Sequence, residues 1–525
     1  MKTKLLLLFL LCTITEMNAQ QKIYDFTSYP WNFKKFNDKI IFEASEENIG
    51  REIWQSDGTA SNTKLLKDIY SGPESSSAGS FRKGSTVLNN NFYFIARDVS
   101  SSGEIWKTDG TTAGTVKVTN FLNGRALNLT TVGNAIFFLV QLDIYTSQVW
   151  KTDGTKEGTV LLKDNLIAWN GTSFQGKCNN NFIFTISPAG GVDSVVWRSD
   201  GTSEGTYPIT APIDGNGSDP RGTHGLTQYI EHNNKLYFVS RYFLYETDGT
   251  LENTKIIGNV WNAQRNLVQY STVIEVNNNL YFMFFSAELY KLSIWKFDSV
   301  NRNVTEIYSK NSLKYFSPSN FAKNDNSLLF SSPNENGGTS LVSLNLANYT
   351  ESNLGELSNG IPKPSFIYSE KDTSTIFKFN NDEYFIASVD KDWFTKGYIL
   401  DLKLNKLQYS SALDNVLNVV SYGDNLYYSK DNKLWKYSNN LSIPLIESGS
   451  SLVFYPNPAT DFVNIQDEYK NDVENVQIFD LNGKVVSGKT DFANDKIDVS
   501  RLNQGTYILK AKVKGTVISK KIIKN

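Results

Sequence analysis

Cysteine and histidine are nearly absent from this sequence, with two of each in 525 residues. Cys12 falls in an apolar N-terminal segment that is expected to be removed, which leaves Cys178 as the single thiol and excludes an intramolecular disulfide. Stability must then come from packing, and a lone Cys reads first as a small buried hydrophobe rather than a nucleophile. His224 and His232 alone argue against a His-rich metal site or a His-based relay. Charge of one sign is lacking too. A formal net charge of -2 offers no basic face for phosphates, so nucleic acid is not an expected partner. Beyond the N-terminal segment no stretch reaches the roughly 18 apolar residues of a membrane-spanning helix, so no transmembrane segment is expected.

What is present is aromatic and turn-rich. Aromatics make up 13% and charged residues 20%, among abundant Asn, Ser, Thr and Gly, the mix of many short strands joined by polar turns. The first residues form a positive region at Lys2 and Lys4, an apolar run over residues 5–12, and the small-residue exit Met17-Asn18-Ala19. This pattern predicts a cleavable signal peptide over residues 1–19.

Internal repetition sets the expected architecture. The run Gly103-Glu104-Ile105-Trp106-Lys107-Thr108-Asp109-Gly110-Thr111, followed by Ala113-Gly114-Thr115, recurs around Trp54-Asp57-Gly58, Trp150-Asp153-Gly154 and Trp197-Asp200-Gly201. With Tyr245 replacing Trp it returns at Asp248-Gly249, and weaker echoes surround Trp295, Leu341, Tyr398 and Trp435. A second marker precedes each, an Asn-rich turn before alternating aromatics, as in Asn90-Asn91-Phe92-Tyr93-Phe94. Together the markers count about nine units at a period of roughly 48 residues. Each unit parses into four strands, with the Asp-Gly step as a tight reversal between the third and fourth and with one face of the sheet apolar and the other wet. Such a sheet cannot bury its apolar face alone, and radial stacking predicts a β-propeller of about eight or nine four-stranded blades over residues 20–447. A strand near residues 22–26 is expected to pair with the last unit and remove exposed edges.

After a flexible join at residues 448–451, a pattern without Trp begins, with about seven short strands over residues 452–525, which suggests a small Ig-like sandwich. The fold class is thus all-β, a propeller followed by a sandwich.

Glu-Ile-Trp-x-x-Asp-Gly-Thr resembles the ELWxxDGT repeat family of secreted and surface bacterial proteins; that likeness implies a repeat scaffold and little chemistry. In the C-terminal module Pro456-Asn457-Pro458 after Tyr455, Gly483 in Ile478-Phe479-Asp480-Leu481-Asn482-Gly483-Lys484, and Gly505 with Tyr507 resemble the C-terminal sorting domain of the type IX secretion system of Bacteroidota. The resemblance implies export through the periplasm by that machinery and a protein that is released or attached to the outer cell surface.

Chemistry is less legible. The repeated Asp57, Asp109, Asp153, Asp200 and Asp248 could ligate Ca2+, but one Asp per unit beside a Gly is better explained by a turn, and no cofactor is expected. The Trp stripe reads as packing, and no catalytic residue stands out. Two functions remain: a non-catalytic binding or adhesion scaffold with a glycan or protein ligand where loops converge, or a secreted carbohydrate-active enzyme using carboxylates from irregular loops. Candidate loops for the second are residues 97–103, 187–193 and 214–222, the last near Asp214, Asp219, Arg221 and His224.

Overall fold

The computed structural model describes residues 20–76, 84–167, 175–186, 195–210, 229–240, 243–259, 268–286, 289–313, 321–358, 368–369, 372–373, 376–378, 380–389, 395–438, 454–465, 473–480, 485–488, 496–513 and 516–525. The expected signal peptide lies outside them, as do the candidate loops 187–193 and 214–222. The chain divides into two compact units, Met1–Ser438 and Asn439–Asn525. Among the described residues no helix is long and apolar enough to cross a membrane.

The first unit is a succession of sheets whose strands pair antiparallel, apart from one parallel pair, Tyr368 with Asn418, in the last. Sheet 1 holds Trp31–Phe36, Lys39–Glu46, Ile49–Ser56 and Lys64–Lys67; sheet 2 Ser85–Leu88, Asn91–Asp98, Ser101–Thr108 and Val116–Lys117; sheet 3 Arg125–Val132, Ala135–Gln141, Thr146–Thr152 and Val160–Ile167. Sheets 4 and 5 begin at Gln175–Cys178 and Tyr229–His232, sheets 6 and 7 at Val268–Val276 and Ala322–Asn324, and sheet 8 at Ile376–Lys378, each with four strands in chain order. Sheet 9 takes Asn418–Tyr422, Asn425–Lys430 and Lys433–Ser438 from the end of the unit and Gln20–Asp25 from the beginning, and two short strands, Tyr368–Ser369 and Asp372–Thr373, extend it beyond Asn418–Tyr422. That closing pair runs antiparallel from Gln20 opposite Tyr437 to Asp25 opposite Lys433, as the edge-removal argument expects.

Why these residues make these sheets is visible in one hairpin. Leu88 pairs with Asn91, and the two residues between them, Asn89 and Asn90, take φ of 48° and 57°. Asn is the side chain that tolerates two left-handed positions in a row, as a two-residue turn with the right twist requires. Asn233-Asn234 and Asn277-Asn278 repeat the device.

Packing corrects one expectation. The sheets do not have a wet face, because each is buried on both sides by its neighbours. Phe92 and Phe94 pack with Phe36, Ile41 and Ile53 of sheet 1, whereas Tyr93, between them, packs with Ile136 and Phe138 of sheet 3. The same alternation joins sheets 3 and 4, 4 and 5, 5 and 6, 6 and 7, 7 and 8, and 8 and 9. One further core, in which Tyr427, Leu434 and Ile23 meet Phe33, Phe42 and Trp54, joins sheet 9 to sheet 1 and closes the series. The Trp of the repeat always faces the preceding sheet: Trp54 sits in the closing core, Trp106 in that with sheet 1, Trp150 in that with sheet 2 and Trp197 in that with sheet 3.

The second unit has a three-stranded sheet, Phe454–Tyr455, Phe462–Ile465 and Lys496–Asp498, and a four-stranded sheet, Val485–Gly488, Val473–Phe479, Gly505–Val513 and Thr516–Lys524. Val463, Ile478, Ile497, Leu509 and Ile522 share one core between them. These seven strands follow the pattern expected from the sequence.

Candidate functional site

The repeat motif builds a turn with its own hydrogen-bond economy. In sheet 2 the third strand ends at Thr108 and the fourth starts at Val116, after Gly114-Thr115, so residues 109–115 form the connection. Asp109 opens it. Its Oδ1 accepts the Thr111 amide at 2.8 Å and the Thr111 hydroxyl at 2.7 Å, and these bonds hold its carboxyl below its ordinary pKa. The buried Thr108 hydroxyl accepts the Gly110 amide at 3.0 Å and lies 2.8 Å from the Thr115 hydroxyl. Gly110 sits at φ +94°, where a side chain is strained. The second Gly has another task, since a Cβ at Gly114 would lie 2.1 Å from the Asp109 carboxylate. In sheets 1 and 5, Asn62 and Asn253 replace it and donate to the second oxygen of Asp57 and Asp248 at 2.7 Å. Asp153 and Asp200 repeat the arrangement of Asp109.

These turns lean on the sheet before them. A Cβ on Gly154 would fall 2.0 Å from the Tyr93 hydroxyl of sheet 2, and one on Gly58 would fall 2.2 Å from the Tyr427 hydroxyl of sheet 9. The residue after Trp completes the contact: Lys107 Nζ donates to the Gly154 carbonyl at 3.2 Å, and Arg198 to the Gly249 carbonyl at 3.2 Å. Where the motif fades, in sheet 6, the polarity reverses. Glu246, buried in sheet 5, accepts from Arg302 at 2.7 Å and from Lys235 at 3.3 Å.

The Glu of the motif is consumed in the same way. Glu52 is fully buried and accepts the amides of Ile69, Tyr70 and Ser76 at 3.0–3.2 Å; burial still pushes its carboxyl up to about 7. Glu104 accepts the Thr119 hydroxyl at 2.5 Å and the Phe121 amide at 2.7 Å, with its pKa also raised by burial. Cys178 is buried between sheets 4 and 5, and burial raises its thiol to about 11, far from the range of a nucleophile. Residues 97–103 are not an irregular loop: Asp98 pairs with Ser101 across a tight turn, and its carboxylate takes Lys117 at 2.8 Å and both Ser100 donors. Asp214, Asp219, Arg221 and His224 lie outside the described residues. Among the described residues no three His, Cys, Asp or Glu side chains are placed to hold a metal ion together.

One set of residues went unmarked in the sequence. Lys35, Val87, Thr131, Lys177, Glu231, Glu275, Lys323, Lys378 and Ser421 occupy the same register position on the first strands of the nine sheets, each opposite an apolar residue of the second strand, from Ile40 to Leu426. First strands of successive sheets lie beside one another, and polar side chains join them. Lys35 reaches Ser421 at 3.3 Å, Lys177 approaches Glu231 at 3.8 Å, and His232 approaches Glu275 at 3.4 Å. Lys35, Val87, Lys177, Glu231, Lys323 and Lys378 are exposed. The signal was available in part: except for Lys378, which ends its strand, this residue stands just before the last residue of the first strand, and except for Val87 it is polar.

In the second unit the sorting-type motif gathers at one edge. Asn457 bonds the last strand through both ends of its amide, as Nδ2 to the Lys521 carbonyl at 2.9 Å and as Oδ1 from the Ile523 amide at 2.8 Å. Pro456 and Pro458 flank it. Tyr507 donates to the Asn503 carbonyl at 2.9 Å, and Gly505 stands 3.8 Å from its ring when given a Cβ. Gly483 lies outside the described residues.

Residues 453–525 match the family of secretion system C-terminal sorting domains. This part of the chain is a type IX secretion C-terminal sorting domain, and it marks a secreted or cell-surface protein. No curated protein matches the chain in sequence. Among solved structures, the extracellular domain of the hybrid two component system BT4673 from B. thetaiotaomicron is 11% identical, with TM-score 0.35 over 94% of this chain and 74% of its own. Puromycin hydrolase is 8% identical, with TM-score 0.33 over 70% and 59%, and oligopeptidase B from Leishmania major is 10% identical, with TM-score 0.35 over 72% and 54%. Likeness at this level says nothing of what the chain binds or does.

Proposed function

We propose that this is an exported, non-catalytic binding protein: residues 1–19 are removed as a signal peptide, residues 20–447 form a closed nine-bladed propeller of the ELWxxDGT repeat kind, and residues 452–525 direct it through the type IX machinery of a Bacteroidota cell. The observation that carries the export half is the match of residues 453–525 to the sorting family. The propeller is supported by the closed series of sheets, in which Gln20–Asp25 completes the last one. In such a ring the first strands face the central channel, and the set from Lys35 to Ser421 is the proposed binding surface for a glycan or protein ligand.

The non-catalytic reading rests on how the recurrent carboxylates are used. Glu52 and Glu104 are buried against backbone donors, and the turn Asp residues are bound to their own Thr neighbours. No cofactor belongs to the reading, and a Ca2+ titration should leave unfolding unmoved. The test against an enzyme is incubation of the exported protein with insoluble polysaccharides and with outer-membrane fractions, followed by pull-down and chromatography of released sugars. Retention without product agrees with binding. Time-dependent product release would replace it with the carbohydrate-active reading.

A further inference from the structure

We infer that Asn457 is a positioning residue for export: it pins the end of the last strand, and the secretion machinery reads that strand end in its pinned form. The inference rests on the sorting role of residues 453–525. Thr516–Lys524 is an edge strand of its sheet, so the backbone groups on its outer side are open along the strand. From Lys521 onward they are taken. Besides the two bonds of Asn457, the Ala459 amide donates to the Ile523 carbonyl at 2.7 Å, and the Asn525 amide donates to the Ala459 carbonyl at 2.9 Å. Ala459 and Lys524 form a parallel bridge.

The clasp has an anchored half and a bare half. Ala459 is 1% exposed and belongs to the core of the unit. Asn457 is exposed and belongs to no core, so its side chain has no packing role to explain it. Proline on each side fixes the local backbone and removes the amide of Pro458, so at this point a side-chain amide does the pairing that a strand's backbone would do. An Asn side chain carries donors and an acceptor on one planar group, which matches the Lys521 carbonyl and the Ile523 amide. The strand end held in this way carries Lys520, Lys521 and Lys524. Without Asn457 the Lys521 carbonyl and the Ile523 amide would lose these partners, and the spacing of those three cations would loosen.

The test compares the full chain with Asn457→Ala, with Val463→Ala, which weakens the core away from the clasp, and with a deletion of residues 453–525, in a host with type IX export. Hydrogen exchange at the Ile523 and Asn525 amides should speed up roughly tenfold in Asn457→Ala while Leu509 is unchanged. Its exported fraction should fall severalfold below that of Val463→Ala, even though Val463→Ala melts at an equal or lower temperature. Normal export of Asn457→Ala, or impairment no greater than that of Val463→Ala, overturns the inference. A deletion that exports normally removes the sorting role itself, a separate result from normal export of Asn457→Ala alone.

Discussion

Gly58 and Gly110 share a backbone conformation and differ in what stands opposite them, which makes their replacement by Ala a test of how the sheets close. Both lie at φ near +93°, so Ala at either should cost about 1–2 kcal/mol in backbone strain. At Gly110 the new Cβ would meet only the Gln55 side chain at 3.6 Å and Phe36 at 3.9 Å, and the strain is the whole effect. At Gly58 the Cβ would fall 2.2 Å from the Tyr427 hydroxyl and 2.7 Å from two of its ring carbons. Overlap of that kind adds about 1–3 kcal/mol, so Gly58→Ala should cost about 2–5 kcal/mol. Tyr427→Phe removes the hydroxyl and should give back on the order of 1 kcal/mol in the double variant. All ten Trp lie at or before residue 435, so denaturant unfolding followed by Trp fluorescence reports the first unit alone. Equal costs at Gly58 and Gly110, or no coupling between Gly58→Ala and Tyr427→Phe, would refute the contact between the first sheet and the last.

Other outcomes follow from single positions. Trp106→Ala removes a ring 7% exposed at the contact of sheets 1 and 2 and should cost about 3–5 kcal/mol by denaturant titration. Glu52 has a carboxyl raised from 4.5 to about 7 by burial, so the folded state binds its proton more tightly than the unfolded state does. Its contribution is full below pH 4.5 and is lost as pH rises to 7, a fall on the order of 3 kcal/mol at about 1.4 kcal/mol per pH unit. Glu52→Gln should flatten that slope in unfolding measured from pH 4 to 8; an unchanged slope would assign it to other groups. Gly114→Ala should destabilise by about 1–3 kcal/mol through contact with the Asp109 carboxylate, and Asp109→Ala in the same chain should relieve it, as thermal melts can show.

Much of the architecture was legible because the signals are local and repeated. Asn89-Asn90 sets a hairpin through φ alone, and Trp at a fixed distance before Asp-Gly marks the third strand in sheet after sheet. Even the closing strand could be placed, since residues 22–26 look like a fourth strand without its own sheet. What failed needed three dimensions. Alternation of aromatic with polar positions was read as one wet face, but Phe92 and Tyr93, on opposite faces of one strand, are both 2% exposed, because a sheet between two others has no solvent side. The fourth strand was placed after Gly114-Thr115, where it begins, but the buried Thr108–Thr115 hydroxyl pair that closes the turn is a tertiary fact. Residues 97–103 read as a loop because they depart from the repeat, although Asp98 pairs with Ser101 across a hairpin turn there, after a register shift at Arg97. The register set from Lys35 to Ser421 was missed because its identity varies from unit to unit, and only strand pairing shows the positions to be equivalent.

The account turns on export by the C-terminal unit, and mass spectrometry of culture supernatant, outer-membrane and periplasmic fractions tests it most directly, with the whole chain compared with one ending at residue 452. The expected result is a species beginning near Gln20 outside the cell for the whole chain and retention in the periplasm for the shortened one. Equal amounts of both outside the cell would contradict the sorting role and make residues 453–525 a working part of the displayed protein.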